Sequence, residues 1–239
     1  MRTMPDWLAL LGRVILIVLI PVVLTLTNVR LLLTPFFPRI EYRLPGFPDD
    51  PYGMTLADRL QYTELSREYL LNNAGIDFVR NFRFPPGITA PAESCPYYLD
   101  GDCNRFYNDR ELKHMLDVKV VLHWVLNVWM VGGVVALLTV GLLYAFGEKA
   151  ALRAGLLGGA GLTLALLVSI VTYLLLNFNS FFTNFHRVFF EGQSWIFLWS
   201  DSFIRLFPER FWQDTFIFIG AATIVEAVVL AAWAWYRLK

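Results

Sequence analysis

Charge is scarce in this chain. Of 239 residues only 20 are Lys or Arg and 20 are Asp or Glu, 17% together, where a soluble domain carries about a quarter. The two signs balance, so no bulk field gathers nucleic acid or steers a charged partner. Four long runs are almost free of charge. A soluble enzyme, a disordered tail and a nucleic-acid binder built on a basic patch are thereby excluded. Histidine and cysteine are rarer still, at three and two. No P-loop, no Gly-x-Ser-x-Gly and no His-Glu-x-x-His is present, so the common phosphate-cradling, serine-nucleophile and helix-borne zinc motifs are missing.

What is there is apolar: 56% of residues are hydrophobic and 16% aromatic. A helix needs roughly 20 mainly apolar residues to cross about 30 Å of hydrocarbon. Leu8–Leu33, Val118–Phe146, Ala151–Leu176 and Phe211–Trp235 meet that requirement. The first contains Arg13, Pro21, Asn28 and Arg30; the fourth contains one acid, Glu226. Trp7, Trp124, Trp129, Trp212, Trp233, Trp235 and Tyr236 mark several ends, as amphipathic rings do at the headgroup level. The first span reads as an uncleaved anchor, because Thr27-Asn28-Val29-Arg30 stands where a small-residue cleavage site belongs.

The short flanks set the expected orientation. The N-terminus, the 147–153 turn and the C-terminal tail hold Arg2, Arg13, Lys149, Arg153, Arg237 and Lys239 against Asp6 and Glu148. The opposite side carries 14 basic and 17 acidic residues. Both termini are therefore expected in the cytoplasm, with 34–117 and 177–210 outside. Cys95 and Cys103 fall in the first outer segment, where an oxidising compartment lets them pair. A structural disulfide is favoured over free thiols and over half a zinc site without nearby His.

The expected fold is an all-α membrane protein, a bundle of four transmembrane helices with a small mixed extracytoplasmic cap. Residues 1–33 form the anchor helix and 34–117 the cap with the start of an extension of the second helix. Residues 118–176 form the second and third spans, 177–210 an extracytoplasmic amphipathic segment, and 211–239 the fourth span and cytoplasmic tail. In the cap, Thr55 and Asp58 suggest a capped start to a helix reaching Asn72. Ile76, Phe78, Phe82 and Phe84 alternate as on a short strand ended by Pro85-Pro86-Gly87. Asn108 and Glu111 form a second start signal, predicting one helix that begins outside and runs into the second span. Phe178, Phe181, Phe182, Phe185 and Phe189 make one helical stripe, with Asn179, Thr183, His186 and Arg187 on the other side. Asp201 is positioned to cap a short helix through Phe207, and Pro208 suits the first turn of the fourth span.

His114 and His186 both map to the outer membrane boundary, while His123 lies inside the second span. Two ionisable rings at equal depth point to pairing or use. Asp117 stands three residues after His114, placed to orient its ring, and four after Lys113, placed equally for a plain surface pair. Glu226 is an intramembrane acid that His123, Asn127 or a threonine could bind. Arg187 suits a phosphate or carboxylate, or lipid headgroups; Arg205 and Arg210 suit headgroups. Gly155 and Gly159 suit close helix contact, not a phosphate loop.

Two blocks carry a family resemblance. His114-Met115-Leu116-Asp117-Val118 resembles the His-Met-x-Asp-Val motif of the lipoprotein intramolecular transacylases, four-span bacterial membrane proteins. Phe185-His186-Arg187-Val188-Phe189-Phe190, Trp195 and 206–212 resemble that family's second signature. The resemblance implies an acyltransferase of the bacterial cell membrane acting outside on a diacylglyceryl-modified lipoprotein. It would move the sn-2 acyl chain to the α-amine of the N-terminal cysteine, giving the lyso-form. The family's two essential histidines carry over onto His114 and His186; His123 matches no motif and stays structural. His114 is then expected as general base and acid, and His186 as a carbonyl contact or proton partner. Asp117 would orient His114, and Arg187 would touch the substrate or the oxyanion. The Phe178–Phe189 stripe would line part of the acyl path. Ester-to-amide exchange is downhill, so no cofactor and no metal is expected. The partners are the lipoprotein substrate and membrane lipids, with no nucleic acid. A membrane acyl hydrolase, an intermolecular acyltransferase and a non-catalytic sensor or assembly subunit are the competing readings.

Overall fold

A computed structural model describes residues 4–238; Arg2 and Lys239, counted in the charge balance, lie outside the described residues. The helices are, in chain order, α1 (Asp6–Leu32), α2 (Phe36–Glu41), α3 (Leu56–Leu71), α4 (Asp77–Arg80), α5 (Asp109–Ala145), α6 (Lys149–Leu176), α7 (Phe178–Phe189), α8 (Ser202–Leu206) and α9 (Glu209–Arg237). Among them α1, α5, α6 and α9 are long and apolar enough to cross a membrane. They coincide with the four apolar runs, and α5 does begin well before Val118. The chain is an all-α, multi-pass membrane protein.

It divides into two compact units. One comprises 4–31, 125–178 and 216–238; the other comprises 32–124 and 179–215. In the first unit Leu16, Ile20, Leu143, Leu152, Leu156 and Ala234 form a buried core. A methyl group on Gly159 would lie 2.8 Å from Ile20 Cβ and 3.0 Å from the Leu16 carbonyl, and one on Gly155 3.1 Å from Leu16 Cβ. These glycines let α6 approach α1 closely, the packing that replaces hydrophobic drive inside lipid. Leu137, Leu138, Val168, Leu175 and Val229 stay exposed on the spans, as side chains facing acyl tails do. The acid inside this unit has a partner other than those expected. Asn28 donates from Nδ2 to Glu226 Oε2 at 2.9 Å and to Thr223 Oγ1 at 3.0 Å. Gly147, at φ +78°, closes α5: its N–H reaches the Tyr144 carbonyl at 3.1 Å and that of Glu148 the Leu143 carbonyl at 2.8 Å. This is the paired C-terminal cap that a left-handed residue permits.

The second unit has its own core, built on Tyr69, Val79, Phe106, Tyr107, Leu112, Met115 and Leu206. The two start signals act as reciprocal capping boxes. Thr55 and Asp58 close one on α3, and Asn108 and Glu111 exchange backbone hydrogen bonds of 2.8 and 3.0 Å at the start of α5. The strand expected over 76–84 is not formed, and no named strand occurs among the described residues of this unit. Residues 77–80 make one helical turn, and only an isolated antiparallel bridge, Arg83 with Arg105, occurs among the described residues. Ile76, Phe78, Phe82 and Phe84 still pack in this unit's core. Their alternation recorded burial, but pairing extends over two hydrogen bonds only, Phe84 N–H to Asn104 and Phe106 N–H to Phe82. Cys95 and Cys103 are joined as a disulfide with Cα atoms 5.5 Å apart.

Arg205 departs from the expected headgroup role. It forks onto Asp50 at 2.8 and 3.0 Å, and both side chains are fully buried. Asp50 also accepts the N–H groups of Tyr52 and Met54, so the 48–54 segment and α8 are held by one carboxylate. Removing one partner of such a pair strands the other charge, at a cost of about 3–5 kcal/mol. Unfolding titrations in mixed micelles are therefore expected to show Arg205→Ala destabilised by about that amount. Arg210→Ala, which breaks a solvent-exposed pair with Asp214, is expected to unfold like the parent.

Candidate active site

Both histidines singled out in the sequence belong to the second unit, and it brings them together. His114 sits about a turn and a half into α5, held there by the Asn108–Glu111 cap. His186 lies on α7, whose Phe stripe runs alongside it. Their ring centroids are 6.1 Å apart with planes inclined by 27°. Both are buried, with 3% and 7% of their surface exposed. His186 is therefore separated from the polar face assigned to it: it is the buried residue of α7, whereas Arg187 beside it is exposed.

The walls are aromatic. Phe190, Phe197 and Phe203 present edges to His114 at centroid distances of 4.9, 5.3 and 5.4 Å. Phe182 and Phe185 flank His186 at 4.1 and 5.6 Å, and Trp195 lies against it at 5.0 Å. Such surroundings disfavour a charged ring. Burial, and then the neighbouring His186, push the His114 imidazole down to about 3. Burial also lowers His186, partly offset by its bond to a backbone carbonyl. At neutral pH both rings are free bases.

One tautomer is fixed. His186 Nδ1 is 2.8 Å from the Phe182 carbonyl oxygen. A carbonyl only accepts, so Nδ1 carries the proton and Nε2 keeps its lone pair. His114 Nδ1 is buried with no hydrogen-bond partner among the described residues.

A buried network around two acidic side chains supports the walls. Glu111, one turn before His114, accepts the Phe203 N–H at 2.6 Å and so positions one wall of the His114 pocket. Asp201 accepts from Ser94 (3.0 Å), Asn108 (2.9 Å) and the Leu198 N–H (2.8 Å), and pairs with Arg110. Asp201 does stand at the N-cap position of α8, but its side chain makes no cap bond there. Burial and the nearby Asp201 push the Glu111 carboxyl up to about 8.

The other candidates are distributed differently. Asp117 accepts from Ser194 Oγ at 3.0 Å, so it fastens the 191–200 segment instead of orienting His114. His123 Nε2 donates to the Leu70 carbonyl at 2.9 Å, and Lys119 Nζ to that of Ala74 at 2.6 Å. One turn apart on α5, they satisfy carbonyls at and just beyond the C-terminus of α3. Among the described residues no group of three or more His, Cys, Asp or Glu could hold a metal ion. Phe190 and Trp195 stand in the second family signature without a role of their own, and Phe197 and Phe203 belong to neither motif. The one available signal was the density of aromatic residues between 178 and 212.

Residues 13–212 match the model of the family described as Lipoprotein intramolecular transacylase Lit. This chain belongs to that family. The fold is shared with an in meso structure of the membrane integral lipoprotein intramolecular transacylase Lit from Bacillus cereus. The TM-score is 0.76 over 97% of this chain and 96% of that one, at 17% identity. A structure of the same protein with a histidine replaced by arginine gives a TM-score of 0.65 over 95% and 90%, also at 17% identity. An uncharacterized protein of Aquifex aeolicus (strain VF5) is 27% identical over 222 residues, 90% of this chain and 89% of that one.

The lowered histidines fix the sign of one pH effect. Unfolded histidine takes up a proton near 6.5, and folded His114 only near 3. The stability this ring contributes is present above 6.5 and lost as pH falls towards 3. Glu111 acts oppositely, its contribution being lost as pH rises through about 8. Imidazole 15N NMR at pH 5 is expected to find His114 neutral, and the melting temperature of His114→Phe to fall less than the parent's between pH 7 and pH 5. Protonation of His114 with a midpoint near 6.5 would contradict the buried, aromatic setting.

Proposed function

We propose that this protein is a lipoprotein intramolecular transacylase that moves the sn-2 acyl chain of a diacylglyceryl-cysteine lipoprotein to that lipoprotein's own N-terminal α-amine. The product is the lyso-form. The observation that carries the reading is the pair of buried, neutral histidines inside an aromatic cluster, one with its tautomer fixed, in a chain of this family.

The neutral amine attacks the ester carbonyl carbon. The new C–N bond forms as the C=O π pair moves onto oxygen. His186 Nε2, the free lone pair, takes the proton that the attacking nitrogen must lose, and the Phe182 carbonyl steadies the resulting imidazolium. Collapse breaks the bond between the acyl carbon and the glyceryl oxygen, and His186 returns the proton to that oxygen. His114 is neutral and has one N–H, which donates to the ester carbonyl. These roles reverse the order expected from the family resemblance, because the resting tautomer leaves His186 nothing to donate from Nε2. Donor and acceptor share one molecule, and holding them in contact supplies several kcal/mol through effective molarity.

In this reading the site faces the extracytoplasmic side and both termini lie in the cytoplasm. The charge balance of the short flanks and the Cys95–Cys103 disulfide support that orientation. The Phe stripe of α7 beside His186 offers acyl tails an apolar surface.

Mass spectrometry of lipoprotein N-termini in cells expressing the chain tests the reading. The N-acyl lyso-form is expected with the parent, and His114→Ala and His186→Ala are each expected to lower its yield by about 10²-fold or more. A lyso-form that persists undiminished in both variants would favour a non-catalytic role.

A further inference from the structure

In the aromatic wall around the two histidines, five of the six rings found among the described residues besides the imidazoles are phenylalanine: Phe182, Phe185, Phe190, Phe197 and Phe203. The sixth is Trp195, which alone has a polar edge. Its Nε1 is buried and has no hydrogen-bond partner among the described residues. An indole N–H is a donor only and usually finds an acceptor when buried. Packing against His186 does not require that N–H, since phenylalanine serves the neighbouring positions.

The indole is also anchored. Ser194, the preceding residue, is buried and donates to Asp117 Oδ2 at 3.0 Å. Asp117 lies one turn beyond His114 on α5, so the helix that carries one histidine fixes the residue packed against the other. Arg187, the oxyanion contact suggested by sequence, is exposed. A single neutral donor from His114 leaves the developing oxyanion poorly compensated in an apolar pocket, where a second fixed dipole is worth far more than in water.

We propose that Trp195 donates its indole N–H to the carbonyl oxygen of the sn-2 ester as that oxygen gains negative charge, and that Asp117, through Ser194, positions the indole. Trp195 is then a catalytic residue and Asp117 a positioning residue. Trp195 keeps its proton throughout; the bonds made and broken are those given above, on which this inference rests.

Purified full-length protein in micelles, assayed on a synthetic diacylated lipopeptide, tests it. Trp195→Phe keeps an aromatic ring and removes the donor, and kcat is expected to fall roughly 10²-fold while KM changes by less than about threefold. Replacing the sn-2 carbonyl oxygen by sulfur, a poorer acceptor, should slow the parent and slow Trp195→Phe little further. If Trp195→Phe does not fold, the isosteric benzothienylalanine at position 195 removes the N–H alone and is expected to give the same loss. Asp117→Ala should lower kcat in the same direction, with Asp117→Asn, which keeps an acceptor for Ser194, restoring most of it. A folded donor-less variant with kcat within about threefold of the parent would overturn the proposal and leave the transacylase reading standing. A parent that makes no N-acyl product would overturn both.

Discussion

Everything around the two histidines depends on where two buried acidic side chains are held. Asp201 gathers Ser94, Asn108, Arg110 and the Leu198 N–H, and Glu111 takes the N–H groups of Asn108 and Phe203. Asn108 therefore serves both acids and the start of α5. The same contacts that begin this helix seat Phe203 against His114 and fix the segment bearing Ser194, Trp195 and Phe197. Buried polar networks are costly when half satisfied and strongly specifying when complete. Here specification falls on the aromatic walls around the two histidines. Asp50 and Arg205 extend the same device to α8.

The chemistry follows from what that pocket withholds. Few polar groups face the rings, so both imidazoles remain unprotonated where an exposed histidine would be partly charged. A free-base ring with one nitrogen tied to a carbonyl is a directional proton acceptor, not merely a basic one. Acyl migration from oxygen to nitrogen within one molecule needs proton transfer and proximity. It needs no external energy source, because the ester is already activated. An apolar, ring-lined surface suits acyl chains and keeps water from competing for the ester.

Much of this can be read from the sequence. The four spans are simple consequences of length and apolar content, and the two capping boxes and the α7 amphipathic helix follow from local spacing. The histidine pair came from motif resemblance together with equal depth. The failures have a common cause. Alternating Ile76, Phe78, Phe82 and Phe84 record burial, which a helical turn and one bridge satisfy as well as a strand does. Asp117, Asp201, Arg205 and Glu226 have partners 77, 93, 155 and 198 residues away, and local spacing carries no information about them. Helical spacing groups His186 with Arg187 opposite the Phe stripe, although one is buried and the other exposed.

The claim on which the account turns is that donor and acceptor belong to one lipoprotein molecule. It is tested most directly by incubating the protein with two diacylglyceryl lipopeptides of different peptide mass, one carrying an isotopically labelled sn-2 acyl chain, and weighing the products. The account predicts that the label appears on the α-amine of the peptide that bore it and on no other. Label shared between the two peptides, or released as free fatty acid, would contradict it.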